Sequence, residues 1–239
     1  MSPPPASTRQ RTNERQKNGA DEANGADVPS QEEIDAMIDA LSESKTVSKA
    51  KAAIRALEEV QIMEKDVGQK IVKENIGIGA IIRALEKWYQ HSSKFTYHAI
   101  RLLASITVLS IESAQKFIAT SGGVETVLAA VKRRSYELLI NKEALMILLD
   151  LSACDTVVRR VARDECIDMV IKGMKRWPKD SCIQENSCKY FLGILKIEEV
   201  NIIAGKLFFH RYFRLGNFTI TQQLKIWVQQ NTYIFPLTA

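Results

Sequence analysis

Long apolar runs are missing from this chain. None approaches the roughly 18 residues that a membrane-crossing helix requires, although 46% of its 239 residues are hydrophobic. The N-terminus, Met1-Ser2-Pro3-Pro4-Pro5, lacks the apolar stretch of a secretion signal, and Ser2 in place of glycine excludes N-myristoylation. These absences predict a cytoplasmic protein, with the nucleus as the other open compartment, and reduced thiols. The sequon at Asn217-Phe218-Thr219 then reads as chance.

Catalytic and metal-binding patterns are missing as well. Cys154, Cys166, Cys182 and Cys188 contain no C-x-x-C pair, and His91, His98 and His210 do not fall at metal-site spacing from them. There is no phosphate-binding glycine loop, nucleophile elbow or zincin helix. The carboxylate pairs Glu58-Glu59 and Glu198-Glu199 are neighbours along helices, so they diverge instead of converging as an acid/base pair. The sequence therefore predicts no catalytic residue, metal, cofactor or small-molecule substrate. Acidic residues are absent after Glu199, so Lys206, Arg211, Arg214 and Lys225 supply most of the net charge of +5. The middle of the chain is close to neutral, which disfavours a broad nucleic-acid-binding face.

What the chain does have is self-similarity at a period of about 45 residues. Ile78, Val124 and Ile167 fall in register, as do Ile81, Val127 and Val170, and then Leu85, Val131 and Met174. A second ladder runs Ala53, Ala99, Ala144, Cys188 and then Leu57, Leu103, Leu148, Leu192. Cys188 thereby reads as a small buried core residue. Periods in this range mark stacked helical units, each burying its apolar face against its neighbours, with an extended surface left over for binding.

Residues 1–29 are rich in Pro, Ser, Asn and Gly, contain only Val28 among large aliphatics after Met1, and balance their charges. Such a segment predicts a disordered tail. Order is expected to start at Ser30, whose oxygen forms a capping box with Glu33 ahead of the apolar stripe Ile34, Met37, Ile38, Leu41. A helix over 47–63 follows. Each later repeat reads as a short helix (65–75, 111–120, 155–164), a medium one (77–89, 122–134, 166–176) and a long one (94–109, 138–152, 181–195). Gly77-Ile78-Gly79 and Gly122-Gly123 mark sharp corners needing positive φ, and Pro178 ends the third medium helix. In the third copy Glu165-Cys166 replaces the glycines, predicting a less sharply bent corner.

The helix order, the glycines before Val124-Glu125-Thr126-Val127-Leu128, and the stretch Glu143-Ala144-Leu145-Met146-Ile147-Leu148-Leu149-Asp150-Leu151-Ser152 together resemble an armadillo repeat. Met174-Lys175-Arg176-Trp177-Pro178 with Ile183-Gln184-Glu185-Asn186-Ser187-Cys188 resembles a variant found in protist repeat proteins and in the helical part of some leucine-rich-repeat kinases. The resemblance covers residues 30–205. It implies an all-α, right-handed α-solenoid of about four armadillo-like repeats, whose long third helices line a concave groove for a protein partner. Members of the importin-alpha type carry an asparagine near the end of that helix and a tryptophan four residues earlier. The matching positions here are Glu59, Ser105, Asp150 and Ile194 for the asparagine, and Arg55, Arg101, Met146 and Tyr190 for the tryptophan. Neither ladder is present, so the chain is not of the importin-alpha type. These eight residues are the candidate partner-binding groove, with solvated helix faces as the plainer reading of them.

Residues 206–239 break the pattern. They hold eight aromatic side chains, among them Phe208, Phe209, Tyr212 and Trp227, interleaved with basic ones. Three readings stay open: an irregular cap over the last repeat, a contact for a partner or membrane surface, or the end of a truncated repeat protein. The leading functional expectation is a non-enzymatic interaction scaffold with a protein partner. The alternatives are a regulatory fragment related to the helical part of a larger kinase-type signalling protein, or a nucleic-acid or membrane-surface binder acting through this basic aromatic segment.

Overall fold

In the computed structural model the described residues are 29–63, 71, 76–109 and 112–194. The expectations for residues 1–28, for most of the helix over 65–75 and for everything after 194 lie outside them. Among the described residues there are ten helices and no strand. They are α1 (Gln31–Ser42), α2 (Val47–Met63), α3 (Ile76–Trp88), α4 (Ser93–Val108), α5 (Glu112–Thr120), α6 (Gly123–Arg133), α7 (Leu138–Ser152), α8 (Val158–Val161), α9 (Asp164–Arg176) and α10 (Ser181–Ile194).

The predicted capping box holds at atomic detail. Ser30 Oγ accepts from the Glu33 amide at 3.2 Å, and Glu33 Oε2 accepts from the Ser30 amide at 2.7 Å, which satisfies two donors the first turn would leave orphaned. The stripe Ile34, Ile38, Leu41 is buried, as are Ala50, Ala53, Ile54 and Leu57 on α2. The medium and long helices fall within two residues of their predicted bounds. The short helix expected over 155–164 is only four residues long.

The helices pack in three rows. Long helices α2, α4, α7 and α10 stand side by side in that order, each touching the next. Helices α1, α3, α6 and α9 form a second row against them, and α5 meets α8 in a third. The core runs unbroken between the rows, with Leu57, Leu103 and Leu148 fully buried. Burial of each stabilises the fold by about 1.5–3 kcal/mol.

Glycine acts at the α5–α6 corner in two ways. Gly122 turns the chain with φ +83°, the left-handed region that costs other residues about 1–2 kcal/mol. Gly123 has no such backbone; it is there because its Cα approaches the Ile118 carbonyl, and a Cβ would lie 2.6 Å from that oxygen. Gly77 repeats this close approach on the Ile71 carbonyl, also at 2.6 Å. The expectation of positive φ at 77–79 is thus corrected: among the described glycines only Gly122 has it. In the next copy α8 stops early, Arg163 is extended (φ −89°, ψ 157°), and buried Cys166 fits where a glycine stood before.

A cation at the end of α3, α6 and α9 ties each of these helices to the loop of the preceding repeat. Lys87 Nζ donates to Ser44 O at 2.9 Å. Arg134 Nη2 donates to Tyr89 O and Gln90 O at 3.3 and 3.1 Å, and Arg176 Nη1 to Ser135 O at 2.7 Å. Loop carbonyls otherwise left to water gain charge-assisted donors, each worth about 1.5–3 kcal/mol.

One register expectation is overturned. On α7 the buried residues include Ile140, Ala144, Ile147, Leu148 and Leu151. On α10 the corresponding ones are Ile183, Ser187, Tyr190, Phe191 and Ile194. Ser187, fully buried, therefore takes the Ala144 place and Phe191 the Leu148 place, one residue earlier than the predicted Cys188 and Leu192. The loops before α7 and α10 are equally long, so α10 keeps the register its preceding helix α9 had already set. Cys188 is half-buried beside the ladder.

Candidate interaction surface

The open face of the α2, α4, α7, α10 row is where six of the eight predicted groove residues emerge. Arg55 and Glu59 are exposed on α2 and pair with each other at 3.2 Å across one helical turn. Such an exposed pair contributes only about 0.3–0.5 kcal/mol, so both side chains are free to exchange partners. On α4, half-buried Ser105 bonds its own helix at Leu102 O (2.9 Å), and Arg101 is held as described below. On α7, the Met146 sulfur accepts from Asn186 Nδ2 at 3.1 Å, linking α7 to α10.

Asp150 is a half-open member of this face. Thr107 Oγ1 lies 2.8 Å from Asp150 Oδ2 and also 2.8 Å from Ala104 O, and its single proton serves one acceptor at a time. Burial raises the Asp150 carboxyl above its ordinary value, and the Thr107 hydrogen bond opposes that rise.

Tyr190 and Ile194 are not on the surface at all; both are fully buried. The Tyr190 hydroxyl donates to Val161 O at 2.5 Å, turned inward toward α8, and burial holds the phenol well above its usual range. The one-residue slip explains the error: Lys189 and Gly193 occupy the places assigned to them. Lys189 is exposed and pairs with Glu185 at 2.7 Å. Gly193 is packed so closely on Ser152 that a Cβ there would collide with it.

The main feature missed in the sequence is a charged cluster under this face. Glu58, 5% exposed, meets His98 Nδ1 at 2.5 Å through Oε2 and Arg101 Nη1 at 3.0 Å through Oε1. The Arg101 contact is an ion pair without hydrogen-bond alignment, so Glu58 Oε1 has charge nearby but no directed donor. Arg101 also donates to Tyr97 Oη at 3.3 Å with its guanidinium 5.8 Å from that ring. Glu143 completes the group from α7: burial raises its carboxyl, Arg101 opposes the rise and Glu58 adds to it. A signal for this existed. Glu58 follows Ala50 and Ile54 at four-residue spacing, on the inner stripe of α2.

Burial pushes the Cys166 thiol up to about 12 and the Cys188 thiol to about 11, away from the thiolate form a nucleophile needs. Among the described residues no group of His, Cys, Asp and Glu gathers at metal-binding spacing, and no helix is long and apolar enough to cross a membrane. No protein-family model, curated protein or solved structure matches this chain.

Proposed function

We propose that this chain is a non-enzymatic protein-interaction module: a right-handed α-solenoid of about four armadillo-like repeats whose third helices receive a segment of a protein partner. The observation that carries the reading is the continuous row α2, α4, α7, α10. Its open face offers Arg55, Glu59, Arg101, Met146 and Lys189, side chains of both signs around an adaptable thioether. Their support comes from below, where buried or half-buried Glu58, His98, Glu143 and Asn186 hold the helices at fixed spacing. A rigid row of this kind binds by presenting side chains already in place, which lowers the ordering cost of association. Recognition is by side chains, since no ladder of asparagines is there to hold a partner's backbone. The working compartment in this reading is the cytoplasm or nucleus.

The test places a photo-crosslinking residue at 55, 146 or 189 in the full chain and identifies the captured protein. Arg55→Glu, an exposed change, combined with Met146→Lys at a half-buried position whose long side chain can reach solvent, should lower recovery of that protein at least ten-fold, with an unchanged thermal melt as the check on folding. Equal recovery by the double variant would move the binding surface elsewhere.

A further inference from the structure

The second row of helices carries a cleft of its own. It lies between α6 and α9, on a different set of helices from the surface just described, and encloses about 860 Å³. Half-buried Leu128 and Met169 form its floor, and half-buried Trp177 closes one end. Arg163 and Glu125 meet at the other end at 2.6 Å and neutralise each other. Burial acts to raise the Glu125 carboxyl, but its backbone hydrogen bond and Arg163 outweigh it and leave the carboxyl lowered, as a persistent ion pair requires.

The rest of the rim is cationic. Lys132 on α6 and Lys172 and Lys175 on α9 are exposed. None of the three has an ion-pair partner among the described residues. Lys132 and Lys175 sit in the last turns of their helices, where a cation complements the helix dipole. Lys172 has no such role. Arg176 is held in place by Ser135 O and by the face of the Tyr136 ring at 3.7 Å, so its positive charge is fixed at the end of the cleft. Asp168 is engaged within the chain, which leaves Glu165 as the one acidic side chain on the rim not tied by a hydrogen bond or ion pair.

We propose that the α6–α9 cleft is a docking site for an acidic peptide segment carrying one or two adjacent large apolar side chains. The aliphatic floor takes these side chains and removes them from water, while the three lysines meet carboxylates on either side of them. A continuous phosphate backbone fits less well. It would pass Glu125 and Glu165 along the rim, and only Trp177 offers a ring for stacking.

The experiment titrates the full chain into a fluorescein-labelled peptide of Glu and Ser with a central Leu-Phe, read by anisotropy. The controls are the same peptide with Ser for Leu-Phe, an oligouridylate of equal length, and vesicles containing phosphatidylserine. Binding should weaken about ten-fold or more in Lys132→Glu/Lys172→Glu/Lys175→Glu and again in Met169→Asp, and should fall with added salt. It should persist in the Arg55→Glu/Met146→Lys variant, which separates this site from the third-helix row. The triple variant changes only exposed side chains, and an unchanged thermal melt confirms its fold. No binding up to about 1 mM, or equal affinity in the triple variant, overturns the proposal. Equal affinity for the peptide without Leu-Phe removes the apolar half of it. Tighter, lysine-dependent binding of the oligonucleotide or vesicles assigns the cleft to a different partner class and overturns it too.

Discussion

Replacing Arg101 by alanine should cost more stability than removing the buried charge it neutralises. Glu58 exposes 7% of its side chain and Arg101 41%, so desolvation falls on the carboxylate. At 3.0 Å and an effective dielectric of about 20, their gross attraction is on the order of 5 kcal/mol. Most of that only offsets the cost of taking the carboxylate out of water. Arg101→Ala strands Glu58 with His98 alone, close to the half-buried Glu143. Breaking a fully buried pair costs about 3–5 kcal/mol; with Arg101 partly in solvent, the screened loss is about 2–3 kcal/mol. Glu58→Met removes the buried charge, fills similar space and lets Arg101 rehydrate, so the change stays within about 1 kcal/mol of zero. In the Glu58→Met background, Arg101→Ala should then cost little, giving a coupling energy of about 2 kcal/mol. Urea unfolding of the four proteins of this cycle, followed by far-ultraviolet circular dichroism, measures each quantity. A loss below about 0.5 kcal/mol for Arg101→Ala, or a larger loss for Glu58→Met than for Arg101→Ala, would refute the reasoning.

Other residues give equally direct tests. Gly123→Ala should destabilise by about 2–3 kcal/mol through collision with the Ile118 carbonyl, whereas Gly122→Ala, with nothing within 4 Å of its Cβ, should cost only the left-handed penalty of about 1–2 kcal/mol; the reverse order of thermal midpoints would contradict the geometry. Asp150→Asn should raise the urea midpoint at pH 7. The folded-state carboxyl is raised above its ordinary value of 3.8, so its charged form opposes folding at neutral pH and the gain should shrink as pH falls toward that value. A constant gain across the titration would exclude the buried charge as its cause. Cys166, fully buried with its thiol held near 12, should resist alkylation at pH 8 until urea is added, with peptide mapping as the readout.

The helices were legible because their signals are local. The Ser30–Glu33 capping box, the spacing of Ile34, Ile38 and Leu41, and the repeated Ala-x-x-x-Leu pairs each act within a few residues of themselves. The exposure of the predicted residues on the α2, α4, α7, α10 row was legible only where the repeat register was right. Arg55, Glu59, Arg101, Ser105, Met146 and Asp150 reach the open face or its margin. Tyr190 and Ile194 do not, because a small cysteine was matched to the alanine ladder where a small serine belongs. Side-chain size alone cannot separate Ser187 from Cys188; the length of the loop before α10 can. The α6–α9 cleft had no sequence signal, since its lysines and floor come from helices that meet only after folding.

By itself the sequence determines that the described residues are helical without strands, the bounds of most of their helices and the approximate period of the stack. Those follow from hydrophobic spacing, caps and turn residues, whose energies are short-ranged. Tertiary structure alone decided that the partners of Glu58 are Arg101 and His98, that Gly123 is needed for close approach and not for its φ, and that two expected groove residues are core. Each of these depends on what a neighbouring repeat places within a few ångströms, and dispersion, desolvation and ion pairing are settled at that distance.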